Sequence, residues 1–112
     1  MARFLICENT PVAVDAEGYL KNLQDWNSQV AVALAQECRI SLTEDHWQII
    51  ELVRTFYNEH QLSPPMRPLV NLVARELGND QGRSIYLMRL FGGNAARTVN
   101  KIAGLPRPAN CL

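Results

Sequence analysis

Apolar side chains recur along this chain at two spacings, first that of a hairpin and then that of several helices. Two short apolar runs flank the turn-like segment Glu8-Asn9-Thr10-Pro11, an arrangement typical of a β-hairpin over residues 3–14. The apolar positions of these runs are Phe4, Leu5, Ile6, Val12 and Val14. Residues 15–20 then predict a turn that leads into a connector.

The clearest helical period begins at Thr43. Thr43 is a favourable N-cap, and Glu44 and Asp45 place negative charge where a helix N-terminus stabilises it. Inward-facing side chains then follow i, i+3, i+4, i+7 spacing at His46, Ile49, Ile50, Val53, Phe56, Tyr57 and His60. A shorter helix precedes this one, capped by Asn27 or Ser28, with Val30, Ala33 and Leu34 on one face.

A third helix is predicted after the break that the prolines make. Ser63-Pro64-Pro65 ends the long helix and opens the next, which runs to about Leu77. Pro68 then lies in its first turn, where a missing N–H has little effect. Its inward positions are Leu69, Val70, Val73 and Leu77, and Gly78 suits its C-cap.

Two short helices complete the pattern. One is predicted over residues 84–91 and the other over residues 95–103, with the segment 92–94 between them and Gly104 at the end. Their apolar side chains are Ile85, Tyr86, Leu87, Met88, Leu90, Val99 and Ile102. The chain is therefore predicted to be mainly α: a small helical bundle with an N-terminal β-hairpin and a mobile C-terminal arm.

The arm carries a cysteine next to its last residue. Pro106 and Pro108 cannot continue a helix and favour an extended path, so residues 105–112 can carry the Cys111 thiol about 25 Å from the body. Cysteine is usually buried, and an exposed thiol is chemically reactive. This placement indicates a group that is passed between partners. The alternative is a terminal cysteine without a role, since chain ends are often disordered.

The composition is that of one small domain, and it excludes several classes of protein. The 112 residues are 47% hydrophobic, which is enough for a core. No apolar run approaches the roughly 20 residues that span a membrane, and the N-terminus lacks a signal-peptide pattern, so we expect a cytoplasmic protein. Three cysteines rule out a complete set of internal disulfides, and no histidine stands at metal-ligand spacing with them. We expect neither metal nor cofactor, with Cys7 in a strand and Cys38 in or beside the core.

The zero net charge conceals an uneven distribution. Residues 1–60 hold four basic and nine acidic side chains, whereas residues 61–112 hold seven basic and two acidic ones. The second half either steers an acidic protein surface or RNA toward the thiol, or is an ordinary solvated surface. The candidates for docking the arm or a partner are Arg67, Arg83, Arg89, Lys101 and Arg107.

Other side chains that could take part in chemistry are expected to have structural roles. A DNA-binding helix-turn-helix is a weaker alternative, in which Arg83 and Arg89 would face phosphate, but capping alone explains Gly78 and the net charge is zero. His46 is expected to be a hydrogen-bonded boundary residue rather than a base for Cys111. The aromatic side chains expected in the core are Trp26, Trp47, Phe56 and Tyr57.

Several motifs together resemble the DsrC/TusE family of sulfur-carrier proteins, in order and over nearly the whole chain. The first half carries Asp15-x-x-Gly18-Tyr19-Leu20, Trp26, Leu42-Thr43-x-x-His46-Trp47 and Val53-Arg54-x-Phe56-Tyr57. The second half carries Ser63-Pro64-x-x-Arg67, Leu69-Val70, Tyr86-Leu87-x-Arg89-Leu90-Phe91 and Lys101-Ile102-Ala103-Gly104-Leu105-Pro106-x-Pro108-x-x-Cys111-Leu112. The ending is the most specific of these motifs.

The resemblance implies an orthogonal helical bundle over residues 1–104, with a β-hairpin, and a flexible arm over residues 105–112. It implies that Cys111 accepts sulfur as a persulfide and passes it on, so the protein is a sulfurtransferase in the sense of a relay, without turnover of its own. Arg67 and Lys101 are the docking residues that it favours. The implied partners are a TusBCD-like donor complex and a tRNA 2-thiouridylase, with tRNA contacted only indirectly and no membrane.

Two departures from the family pattern bear on the pathway. DsrC-type members that work with dissimilatory sulfite reductase carry a second arm cysteine further upstream, where this chain has Val99-Asn100-Lys101-Ile102. This departure favours the TusE-like branch, and hence tRNA wobble-uridine 2-thiolation, over the alternative of a DsrC-like carrier in a sulfite-reductase or sulfur-oxidation pathway. The segment 92–100 also lacks the prolines usual in the family, which should loosen the loop before the last helix.

Overall fold

The structure, a computed structural model, describes residues 3–109 as a mainly α fold with an N-terminal hairpin, which confirms the predicted fold class. The elements are β1 (Arg3–Cys7), β2 (Thr10–Val14), α1 (Ser28–Glu37), α2 (Glu44–His60), α3 (Met66–Leu77), α4 (Ser84–Phe91) and α5 (Ala95–Ile102). Within the described residues, no helix combines the length and apolar character of a membrane span.

The hairpin turns at Glu8 and Asn9, which have positive φ of 48° and 67°. Two consecutive residues with positive φ form a turn whose twist matches the right-handed twist of the strands it connects. Strands β1 and β2 pair antiparallel, with Leu5 opposite Val12. Successive side chains along each strand point to opposite faces, so one face of the hairpin is buried and the other is exposed. The buried side chains are Leu5, Cys7, Val12 and Val14.

Helices α1 and α2 begin at the caps that the sequence indicates. The side chain of Asn27 accepts a hydrogen bond from the Val30 N–H at 2.9 Å. Thr43 donates its N–H to His46 Nδ1 at 3.1 Å, and the Thr43 hydroxyl lies 2.8 Å from the same nitrogen. Because Nδ1 accepts, the other ring nitrogen carries the hydrogen and donates it to the Leu90 carbonyl at 2.9 Å. His46 is therefore a buried, fully hydrogen-bonded residue, as expected.

The turn between α3 and α4 approaches α3 closely at a glycine. A Cβ on Gly82 would lie 2.3 Å from the Cβ of Ala74, so only glycine fits at this point of the turn. Gly78, with φ of 103°, ends α3 as predicted, and its N–H donates to the Ala74 carbonyl at 3.0 Å. The turn that loosely imitates a DNA-binding motif is thus explained by helix capping and close packing.

Helix α5 lies among the other helices and contacts α1, α2, α3 and α4. Its buried face includes Val99 and Ile102, which the sequence places inward, and also the fully buried Asn100. The Asn100 amide donates to the Pro64 carbonyl at 3.0 Å and to the Ala96 carbonyl at 2.7 Å. This central helix leads directly into the C-terminal segment.

A few predicted details are wrong. His60 is exposed instead of facing inward, because the end of α2 extends past the core. Of the expected core aromatics, Trp26, Trp47 and Tyr57 do pack against the core, although each is only partly buried. Phe56 instead packs against the His60 ring at a centroid distance of 4.6 Å. A short 3₁₀ turn at Leu23–Asp25, missed in the sequence, precedes α1.

Candidate functional site

The predicted sulfur-bearing residue, Cys111, lies outside the described residues. The structure does describe the segment that leads to it. We call residues 105–109 the stem. The stem follows α5 and ends two positions before Cys111 in sequence. Its anchorage to the body is the part of the candidate site that the structure describes.

Helix α5 ends in a tight reversal at Gly104. The Leu105 N–H donates to the Asn100 carbonyl at 2.9 Å, and the Gly104 N–H donates to the Lys101 carbonyl at 3.0 Å. This pair of bonds is the Schellman arrangement, which places a residue of positive φ after the helix, and Gly104 has φ of 75°. A Cβ on Gly104 would lie 2.3 Å from Cδ1 of Trp26, so the indole packs directly on the glycine.

Two side chains from elsewhere in the chain satisfy the last carbonyl groups of this helix. Trp26 donates its Nε1–H to the Ile102 carbonyl at 2.8 Å, and Arg54 donates from Nη1 to the Ala103 carbonyl at 2.6 Å. The Arg54 guanidinium also lies over the Trp26 ring, 3.8 Å from its centroid. Burial lowers the pKa of Arg54, but an arginine stays charged at neutral pH. The positive charge at a helix C-terminus stabilises the reversal.

The stem lies along the body. Leu105 is 3% exposed and Pro108 is buried, whereas Pro106 and Arg107 face solvent. Arg107 donates from Nη1 to Glu17 Oε1 at 2.7 Å. The stem is therefore held first by the burial of Leu105, then by the ion pair of Arg107, and then by the burial of Pro108. The predicted mobility of residues 105–112 remains a prediction.

Glu17 is presented by a short, well-bonded turn at residues 15–19. The Asp15 carboxylate accepts hydrogen bonds from the Glu17 N–H at 2.9 Å and from the Tyr19 N–H at 3.0 Å. Gly18 supplies the positive φ of 93° that the turn needs. The second oxygen of Glu17 accepts from Arg97 Nη2 at 2.8 Å, so one carboxylate bridges α5 and the stem.

Lys101 lies beside the same turn. Its ammonium is 5.3 Å from the centroid of the Tyr19 ring, and its side-chain atoms approach Gly18. Two of the predicted docking residues, Lys101 and Arg107, thus meet the turn at residues 15–19.

The other predicted docking residues lie on the outer surface of α3 and α4. Arg67 occupies the first turn of α3, Arg83 is the N-cap of α4, and Arg89 is in the last turn of α4. All three are exposed, and none forms an ion pair with another described residue. Their role in docking remains a prediction.

The two described cysteines have unfavourable surroundings for nucleophilic chemistry. Cys7 is 8% exposed on the buried face of β1. Cys38 is half-buried at the end of α1, where burial raises the pKa of its thiol, Lys101 lowers it by a smaller amount and Glu37 raises it. Because the thiolate is the nucleophile, a raised pKa reduces the reactive fraction of Cys38 near neutral pH.

Three residues of this region, Glu17, Trp26 and Arg54, were not among the predicted site residues. Trp26 and Arg54 belong to family motifs, but their partners lie 76 and 49 positions away. No spacing rule connects residues so far apart, and only the folded chain brings them together. Among residues 3–109, no group of three or more metal-ligating side chains is close enough to hold a metal ion.

Comparison with known proteins gives relatives along nearly the whole chain. A family model described as "DsrC like protein" matches residues 7–112. A Photorhabdus laumondii subsp. laumondii protein named "Sulfurtransferase TusE" is 44% identical over 108 residues, which make up 96% of this chain and 97% of that protein.

Two solved structures show the same fold. The solution structure of DsrC from Allochromatium vinosum aligns with a TM-score of 0.89 and 41% identity over 100% of both chains. The oxidized gamma-subunit of the dissimilatory sulfite reductase (DsrC) from Archaeoglobus fulgidus aligns with a TM-score of 0.85 and 33% identity, over 98% of this chain and 100% of that one. With a family match over residues 7–112 and relatives that align almost end to end, the chain belongs to the DsrC-like family.

Proposed function

We propose that this protein is a sulfur carrier in which Cys111 receives a sulfur atom and passes it to an acceptor protein. The observation that carries the proposal is the family match, which runs through residue 112 and so includes Cys111. The sulfurtransferase name of a relative that aligns over 96% of the chain supports the same type of chemistry.

The surroundings of the other thiols favour Cys111 by elimination. A carrier thiol must be reached by two partner proteins in turn, and Cys7 is buried on the inner face of the hairpin. Cys38 is half-buried and its pKa is raised by that burial, which lowers its thiolate fraction. Neither described cysteine meets both requirements of access and ionisation.

The transfer consists of two exchanges that balance without an external oxidant or reductant. The Cys111 thiolate attacks the outer sulfur of a donor persulfide, forming a new sulfur–sulfur bond as the donor sulfur–sulfur bond breaks. The donor leaves as a thiolate, and Cys111 becomes a persulfide. A thiolate of the acceptor then attacks the outer sulfur of Cys111 in the same way, and the Cys111 thiolate is restored.

An unperturbed thiol has a pKa of about 8.5, so only a few per cent is thiolate near neutral pH. We expect the main activation to come from a basic or helix-terminal pocket of the partner that receives the thiol. A modest intrinsic reactivity suits a carrier, since it limits loss of sulfur to other thiols.

The acceptor pathway that we propose is tRNA wobble-uridine 2-thiolation. The relatives named "Sulfurtransferase TusE" support this branch. The second arm cysteine is also missing: Asn100 and Lys101 occupy that neighbourhood, and both belong to α5 in the structure. The partners would then be a TusBCD-like donor complex and a tRNA 2-thiouridylase.

The alternative is a carrier for a sulfite-reductase or sulfur-oxidation pathway. The fold match with the gamma-subunit of the Archaeoglobus fulgidus dissimilatory sulfite reductase favours this reading. The DsrC of Allochromatium vinosum is 41% identical, nearly as similar as the TusE relative at 44%, so identity does not separate the two readings. We rank the alternative second because the second arm cysteine is missing from this sequence.

Intact mass after reaction with a cysteine desulfurase and its relay proteins tests the carrier proposal. The wild-type chain should gain the mass of one sulfur atom, and reductant should remove it. Cys111→Ser should abolish the gain, whereas Cys7→Ser and Cys38→Ser should retain it. Equal labelling of all three variants would contradict the assignment to Cys111.

A further inference from the structure

Glu17 joins the stem to the body through two ion pairs at once. Its Oε1 lies 2.7 Å from Arg107 Nη1, and its Oε2 lies 2.8 Å from Arg97 Nη2. Each carboxylate oxygen therefore serves a different guanidinium, one on the stem and one on α5. Both distances are in the range of strong charge-assisted hydrogen bonds.

The support behind Glu17 is rigid. The turn at residues 15–19 is closed by the two bonds that the Asp15 carboxylate accepts and by a backbone bond from the Asp15 N–H to the Tyr19 carbonyl at 2.8 Å. Arg3 adds a bond from Nη1 to the Ala16 carbonyl at 3.1 Å. These bonds fix the backbone at Glu17, and Arg97 orients its carboxylate, so less entropy is lost when the contact with Arg107 forms.

We propose that Glu17 is a positioning residue for sulfur transfer: it holds the stem, through Arg107, so that a partner protein meets an ordered approach to Cys111. This inference rests on the proposed carrier function. Glu17 does not touch the reacting sulfur and acts through the stem alone.

The exposure of this contact makes it reversible. The side chains of Glu17, Arg97 and Arg107 are 45%, 33% and 55% exposed, so water and salt weaken the pairs. Exposed ion pairs shift an equilibrium by only about two- to fivefold. Such a contact keeps the stem ordered while a partner docks, yet it can open when the thiol has to reach a second partner. A fully buried pair would hold the stem too firmly for a carrier.

The chain offers a control in Glu76. Glu76 pairs with Arg75 at 3.8 Å within α3, and its side chain is 48% exposed, close to the 45% of Glu17. Glu76→Gln and Glu17→Gln therefore make the same change of charge at similarly exposed carboxylates, but only Glu17 pairs with the stem.

Backbone NMR reports on the stem directly. Arg107 and Ala109 carry amide protons on either side of Pro108. In the wild-type protein at low salt, their heteronuclear NOE values should be close to those of α5. Glu17→Gln should raise the released population about two- to fivefold and lower these values. Glu76→Gln should leave them unchanged, and the double variant Glu17→Gln, Arg107→Gln should show no further loss at Ala109. Unchanged NOE values in Glu17→Gln would overturn the proposal.

Kinetics with a sulfur-loaded TusBCD-like complex test the functional part. Without the Glu17 contact, the stem has to become ordered during docking. Glu17→Gln should therefore raise KM about two- to fivefold and leave kcat unchanged. Glu17→Asp, which keeps the charge, should raise KM less than Glu17→Gln does. With glutathione persulfide, a small donor that needs no docking, all variants should react at the same rate.

Two kinetic results would overturn the proposal: an unchanged KM for the protein donor, or an equal loss of rate with glutathione persulfide. A wild-type protein that takes up no sulfur at Cys111 would instead refute the proposed function. The NMR comparison would still decide whether Glu17 orders the stem, so the two failures are distinguishable.

Discussion

At the residue scale, Gly104 determines how the helical body passes into the C-terminal segment. Its φ of 75° is a conformation that side chains with a Cβ rarely adopt, and the Trp26 ring occupies the space where that Cβ would lie. Residue 104 must therefore adopt a positive φ and must lack a Cβ. In this conformation the Leu105 N–H reaches the Asn100 carbonyl. The glycine therefore sets the direction in which the stem leaves α5.

Gly104→Ala should be strongly destabilising. The positive φ contributes about 1–2 kcal/mol, and displacement of the indole adds about 1–3 kcal/mol, so we expect a loss of about 2–5 kcal/mol in the free energy of unfolding by urea. Gly93→Ala is the control, because Gly93 has neither a positive φ nor a neighbour within 4 Å of the added Cβ. A similar small loss in both variants would contradict the account of Gly104.

At the element scale, α5 is the helix on which the site depends. It contacts all four other described helices and ends where the stem begins. The last carbonyl groups of a helix lack partners inside the helix, and here Trp26 and Arg54 supply them. The body of the protein thus fixes the end of α5 with side chains from the connector before α1 and from α2.

Trp26→Phe tests this anchoring, because it keeps an aromatic ring but removes the indole N–H together with part of the ring system, a loss of size that the control variant also carries. The Ile102 carbonyl then loses its donor, and we expect a loss of about 1–2 kcal/mol in the free energy of unfolding. Hydrogen exchange at the Leu105 amide should also become faster. The control is Trp47→Phe, since the Trp47 indole forms no hydrogen bond within residues 3–109 and is likewise half-buried. Equal effects of the two changes would refute a specific role for Trp26.

The elements could be predicted from local sequence because their causes are local. Asn27 and Thr43 mark the starts of α1 and α2, and Gly78 marks the end of α3. The partners around the stem could not be predicted in this way. Glu17 and Arg107 are 90 positions apart, and their pairing depends on how the turn at residues 15–19 lies against α5. The sequence places Cys111 on the arm, but only the fold shows that the stem leading to it has a carboxylate anchor.

At the scale of the whole molecule, the uneven charge of the two halves of the sequence is partly balanced within the fold. Glu17 from the acidic half pairs with Arg97 and Arg107 from the basic half. Of the basic residues, Arg67, Arg83 and Arg89 remain exposed on α3 and α4, without ion pairs to other described residues. They are the part of the basic half that is open to an acidic partner, and their role there is still a prediction.

The most direct test of the central claim is a single-turnover chase of radiolabelled sulfur. The protein is loaded with labelled sulfur, separated from its donors, and mixed with a tRNA 2-thiouridylase, ATP and unmodified tRNA. We predict that the label leaves Cys111 and appears in 2-thiouridine, while Cys111→Ser carries and delivers none. Label that stays on the protein under these conditions, or that reaches tRNA equally well from Cys111→Ser, would contradict the proposed relay.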